Sequence, residues 1–143
     1  MPNAECSATF HGTTDEVWSV VSDLARFPDW FVMHEGFSAD PPKMEQGAKF
    51  DQRTRLLGMP AQVSWTIQSV EPGRRYTMVG LGTMGIQVTA ETTVSPVDGE
   101  TAVTIRLSFA GGLVTGPISA TVEKEVTGKL DDSLAKLRAV LSG

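Results

Sequence analysis

The sequence has one cysteine, one tyrosine and two histidines in 143 residues, and each scarcity removes a class of protein. Cys6 alone excludes an internal disulfide and any zinc site built from several cysteines. Neither His11 nor His34 has a second histidine, a cysteine or a carboxylate at metal-ligand spacing, so no metal site is expected. Basic residues are outnumbered, 12 Lys and Arg against 17 Asp and Glu for a net charge of −5. No basic cluster occurs, which leaves nucleic acid or an anionic membrane surface nothing to hold electrostatically. No apolar run approaches the roughly 20 residues of a membrane helix, so no membrane insertion is expected. MPNAECSATF lacks a basic region followed by an apolar run; no signal peptide is read there, and a cytoplasmic location is expected. Gly111, Gly112 and Gly116 form a glycine cluster, but no Lys-Ser/Thr follows it, so it is not read as a phosphate cradle. No cofactor is expected.

What the sequence does contain is ordinary globular material, with 41% hydrophobic and 20% charged residues. The length suits one domain over 1–143. Four of its ten aromatic residues (Phe27, Trp30, Phe31 and Phe37) crowd into FPDWFVMHEGF, residues 27–37, together with His34. Pro28 and Gly36 limit any helix there, so this apolar segment is irregular.

Periodicity organises the rest. Ala4, Cys6, Ala8 and Phe10 alternate with Glu5, Ser7 and Thr9, the pattern of a half-buried strand. TTDE then supplies a helix start, with Thr13 as N-cap and Glu16 three residues on. Val17, Val20, Val21 and Leu24 follow at helical spacing, and a short helical turn is expected from Leu24 toward Phe31. From residue 36 the period becomes two. GFSAD reads as a short strand and PPKMEQG as a turn. Phe50, Gln52, Thr54 and Leu56 then alternate with Asp51, Arg53 and Arg55, a sequence that places both arginines on the outer face. GMP at 58–60 reads as a connection. Val63, Trp65 and Ile67 mark the next strand, Tyr76 and Met78 the one after EPGR, and Ile86, Val88 and Ala90 the following one. A hairpin around Asp98–Gly99 returns through Val103, Ile105, Leu107 and Phe109, setting Glu91 opposite Arg106. Pro117 opens a last helix over 117–141, with one apolar stripe: Ile118, Val122, Val126, Leu130, Leu134, Leu137 and Leu141. Gly128 inside it implies that the lid or a ligand packs closely there.

This order predicts an α+β helix-grip fold. A curved antiparallel sheet of six to seven strands wraps a long C-terminal helix, and two short helices follow the first strand. Such a grip leaves an interior that a ligand can fill. The arrangement resembles the START-like helix-grip superfamily, which includes polyketide cyclase/dehydrase-like proteins. The segments SDLARFPDWFVMH, GMPAQVSWTI and GGLVTGPI are similar to actinobacterial START-like proteins catalogued as toxins of type II toxin–antitoxin pairs. That resemblance implies a small hydrophobic molecule as partner and leaves an antitoxin protein as a second candidate. It carries over no catalytic residues.

In this reading residues 27–37 form a lid over the open end of the sheet. The expected ligand-binding residues are Trp30, Phe31 and His34 from the lid; Gln52, Thr54, Trp65, Tyr76, Met78 and Ile86 from the sheet; and Val122 and Val126 from the helix. His34 and Tyr76 are the candidates for proton transfer. No Ser/His/Asp, Cys/His or paired-carboxylate constellation accompanies them, which favours a non-enzymatic carrier or sensor of a small apolar molecule. The alternatives are a cyclase- or dehydratase-like enzyme, or a toxin acting through a partner surface. The mixed charges of the outer strand face suit a monomer or weak dimer.

Overall fold

A computed structural model describes residues 3–56, 58–111 and 117–142; the side chains of residues 56 and 84 are not described. The chain runs β1 (Asn3–Phe10), α1 (Thr14–Val21), a 3-10 turn (Leu24–Arg26), α2 (Phe27–Trp30), β2 (His34–Phe37), β3 (Lys49–Leu56) and β4 (Met59–Glu71). It continues through β5 (Arg75–Gly82), a second 3-10 turn (Thr83–Gly85), β6 (Gln87–Val97), β7 (Glu100–Ala110) and α3 (Pro117–Ser142). The seven strands form one antiparallel sheet in the order β1-β7-β6-β5-β4-β3-β2. The sheet curls around α3, with the short helices covering one end: the helix-grip expected from the alternations.

Local chemistry explains the elements. Thr13 accepts from the Glu16 amide at 3.2 Å, while the Glu16 carboxylate accepts from the Thr13 amide, also at 3.2 Å. This reciprocal cap holds the start of α1. Asp98 at φ 48° and Gly99 at φ 79° turn the β6–β7 hairpin, the left-handed pair that a two-residue turn between twisted strands requires. The register then sets Glu91 opposite Arg106, 3.7 Å apart at an exposed site where the pair contributes little.

Three expectations about element placement change. The strand assigned to GFSAD lies earlier, at His34–Phe37. A bulge at Glu35 is the cause: His34 pairs with Thr54 and Gly36 with Arg53, so Glu35 is the extra residue. The bulge leaves both His34 and Phe37 on the inner face, opposite Thr54 and Gln52. The connection read at GMP is tighter, because Met59 already pairs with Leu56. Ile118 is exposed and Leu141 only half-buried, so the apolar stripe of α3 is buried from Val122 to Leu137. Of the glycine cluster, Gly112 and Gly116 lie outside the described residues, as does Leu57.

Gly128 corrects a fourth expectation. It is exposed, and a Cβ built there would meet nothing within 4 Å. The lid does not pack on it, and the position faces solvent. Gly128→Ala is therefore expected to stabilise the protein by about 1 kcal/mol, the helix-propensity difference, with nothing lost in packing. Thermal and urea denaturation read the change directly.

Candidate ligand-binding cavity

The inner face of the sheet is apolar because alternate residues of β3 to β7 point to it. At its centre Trp65 pairs across the sheet with Gly80. A Cβ at Gly80 would lie 2.5 Å from Val63 Cγ1 and 2.8 Å from the Trp65 ring, so glycine there is what lets the indole lie flat across β5. From that position Trp65 Nε1–H donates to Gln52 Oε1 at 2.9 Å. Gln52, only 2% exposed, then lies 2.8 Å from His34 Nδ1 through its Nε2.

The direction of this relay follows from chemistry alone. An indole N–H can only donate, so the Gln52 oxygen faces Trp65 and its NH2 faces His34. His34 Nδ1 must therefore accept, which makes the ring neutral with its proton on Nε2. Burial, followed by the neighbouring Arg53 charge, lowers the His34 pKa below its ordinary value, in agreement with a neutral ring.

Between this sheet face and the lid is a cavity of about 80 Å³, room for roughly two or three waters. Its walls are predominantly apolar. Of the expected residues, Trp30, Phe31, Gln52, Thr54, Trp65, Tyr76, Met78 and Ile86 line it. His34, Val122 and Val126 do not. The His34 ring is drawn aside by Gln52 and packs against Phe37 at 4.4 Å and Phe27 at 6.2 Å. Val122 and Val126 are fully buried on a helix that packs along β1, where Cys6 Sγ–H donates to the Thr127 carbonyl at 3.4 Å. Arg53 is exposed, on the outer side as expected, while Arg55 reaches the cavity rim with its guanidinium engaged by Glu35 and the Gly58 carbonyl.

Tyr76 is in the wall, but its hydroxyl donates to the Val21 carbonyl at 2.8 Å. Burial raises its pKa well above the usual phenol value. The group anchors α1 to the sheet and holds its proton firmly, which suits structure better than proton transfer.

The lid owes its position to contacts the sequence does not advertise. Trp30 is 1% exposed and packs edge-on against Phe27 at 5.6 Å. The Val32 amide donates to Ser133 Oγ at 3.1 Å, and Ser133 in turn donates to the Lys129 carbonyl. Ser133 is fully buried on α3 and ties the lid to that helix. Sequence reasoning missed it. The signal was its place on the apolar stripe, three residues after Leu130 and four before Leu137. Phe27 and Met33 also line the cavity and were not among the expected site residues.

A family model described as "Polyketide cyclase / dehydrase and lipid transport" matches residues 1–142. The chain belongs to this family. Its fold, a curled sheet enclosing an apolar cavity, is a hydrophobic ligand-binding fold. An uncharacterized protein of Mycobacterium tuberculosis, Rv1546, is 29% identical over 135 residues, 94% of each chain. A second protein of that organism, named Toxin Rv0910, is 27% identical over 130 residues, 90% of each chain. Among solved structures, a START superfamily protein from Mycobacterium smegmatis superposes with a TM-score of 0.77 at 12% identity, covering 98% of this chain and 97% of that one. That likeness is one of fold. Among the described residues no helix is long and apolar enough to cross a membrane.

Proposed function

We propose that the protein reversibly binds a small, mostly apolar molecule behind the lid, as a carrier or sensor rather than as an enzyme. The observation that carries this reading is the cavity itself, whose apolar wall is shared between the sheet and the lid residues Trp30, Phe31 and Met33. At about 80 Å³ the cavity is smaller than the roughly 300 Å³ at which drug-sized pockets begin. Larger guests therefore require its walls, the lid among them, to move. The lid is tied to α3 by the hydrogen bond from the Val32 amide to Ser133 and is held down by the buried Phe27 and Trp30 side chains, the contacts a gate must break and remake. Tyr76, with its proton held by Val21, lends the cyclase-like alternative little support.

Titration with ethylbenzene, followed through the methionine methyl resonances, tests the proposal. Met33 and Met78 line the cavity, whereas Met59 is exposed. Saturable shifts at Met33 and Met78 with Met59 unmoved are expected. Ser133→Ala removes the tie, and loss of one hydrogen bond of about 1 kcal/mol should speed ligand release roughly fivefold. Absence of any saturable shift would remove the cavity reading. The naming of Rv0910 as a toxin would then favour a partner surface, with the exposed Met59, Leu81 and Ile118 as the first residues to examine.

A further inference from the structure

Two buried side-chain polar atoms among the described residues have no hydrogen-bond partner: Trp30 Nε1 and His34 Nε2. Of the two rings only His34 titrates near neutral pH, and it stands where the lid passes into β2. Its Nδ1 accepts from Gln52, and the ring packs on Phe37 of its own strand and edge-on against Phe27 of the lid. Its amide donates to the Phe31 carbonyl at 3.0 Å, which fixes the exit from α2.

Nothing around the ring satisfies an imidazolium. Protonated, Nδ1–H would face the Gln52 N–H from which it now accepts. Turning the Gln52 amide over would aim its NH2 at the Trp65 indole, which can only donate, so one clash would replace another. Nε2–H has no acceptor in either state. The neighbouring charges add no relief. Arg53 of β3 is the charge that acts on the ring, and its guanidinium lies over Gly36, where a Cβ would run into Nη2. Glu35, next along β2, is exposed and held by Arg55 at 3.1 Å, and Asp29 of α2 is held by Arg26 at 3.2 Å. The α3 residue tied to the lid is the neutral Ser133.

We propose that neutral His34 latches the lid, and that its protonation releases the segment from Phe27 to His34 from the sheet. The half-buried ring leaves for solvent, where an imidazolium is hydrated. Phe27 then loses the ring against which it packs, and the turn from Phe31 to His34 loses its anchor in the sheet. The bistable element is the lid, and the proton alone biases it. Burial and then Arg53 lower the pKa of the latched ring, whereas the released ring returns to the ordinary value near 6.5. The open lid therefore binds the extra proton. Opening is independent of pH well above 6.5, rises as much as about tenfold per pH unit below it, and levels off beneath the pKa of the latched ring. Where the cavity takes a guest as proposed above, the same step couples its release to acid; the latch itself does not rest on that reading.

Amide hydrogen exchange of the ligand-free protein, corrected for the intrinsic pH dependence of exchange, reads the opening without any guest. The Val32 amide reports the lid through its bond to Ser133 Oγ, and the Val94 amide, bonded to the Arg74 carbonyl, reports the sheet. Val32 should exchange well ahead of Val94 at every pH, the mark of a local opening. Its protection should fall by as much as about tenfold per pH unit below roughly pH 6.5, over the range in which the His34 imidazole titrates by NMR. His34→Asn sets an amide oxygen where Nδ1 lies and cannot take up a proton, so Gln52 keeps its acceptor and the acid-dependent loss of Val32 protection should vanish. Val32 protection that does not change with pH would overturn the latch. Equal protection of Val32 and Val94 throughout would also overturn it, because the lid would then open only with the whole protein. So would an acid-dependent loss that persists in His34→Asn. If that variant folds poorly, the parent decides: a Val32 loss lying outside the pH range of the imidazole titration overturns the proposal.

Discussion

Trp30→Ala is expected to destabilise the protein by about 3–5 kcal/mol, the range for truncating a large buried aromatic side chain. Trp30 is 1% exposed and touches Phe27 and Phe31 at ring separations of 5.6 and 5.5 Å. Removing the indole opens a void at the end of the core and withdraws the support of the lid. The unpaired Nε1–H is removed as well, which offsets part of the loss and places the result toward the lower end. For a chain of this size that is a fall in melting temperature of roughly 10 °C. From sequence one expects a gate residue that alters binding far more than stability. The structure makes Trp30 both lid and core, so alanine cannot separate the two roles and Trp30→Phe is the informative change. A loss below about 1 kcal/mol for Trp30→Ala, measured by urea denaturation, would show that the lid is not packed as described.

The second large effect is expected at Gln52. Gln52→Leu matches its volume but leaves Trp65 Nε1–H without an acceptor and His34 Nδ1 without a donor. With about 1–3 kcal/mol for each of the two stranded groups, a loss of about 2–6 kcal/mol follows. Gln52→Glu makes the sharper test. A carboxylate still accepts from Trp65, but its second oxygen can meet His34 only if Nδ1 carries a proton. His34 should then become an imidazolium paired with the new carboxylate. In the parent, burial and then Arg53 lower the His34 pKa from 6.5. The unfolded chain therefore binds more protons below about pH 6.5, and the His34 contribution to stability falls as pH falls through that window. In Gln52→Glu the folded pKa is raised. The contribution is then present below the unfolded pKa and lost as pH rises through the folded one. NMR titration of the imidazole in both proteins measures the two directions; an unchanged His34 pKa in Gln52→Glu would show that the relay does not exist in solution.

The parts of the fold governed by local periodicity were legible in the sequence. Alternation at Gln52, Trp65, Tyr76 and Met78 gave the correct inner face, and the Thr13–Glu16 cap and the α3 stripe needed no tertiary knowledge. What escaped was set by contacts between elements distant in the chain. The Glu35 bulge has no composition signal, yet it decides where β2 begins and which way His34 faces. Gly80 reads as an ordinary strand glycine until the Trp65 ring is seen above it. Val122 and Val126 carry the right periodicity, but the packing of α3 along β1 decides that they fill core and not the cavity wall. Ser133 sits on the apolar stripe of α3, but only the position of the lid, 101 residues earlier, reveals its partner. Periodicity fixes a face. It does not say which part of that face meets a cavity.

The central claim is that a small apolar molecule occupies the space behind the lid. The measurement that tests it most directly is a crystal structure of the protein saturated with ethylbenzene. Density enclosed by Trp30, Trp65 and Met78, absent from ligand-free crystals, is the predicted result. An unoccupied cavity with ethylbenzene bound only on the exposed surface around Met59, Leu81 or Ile118 would contradict it.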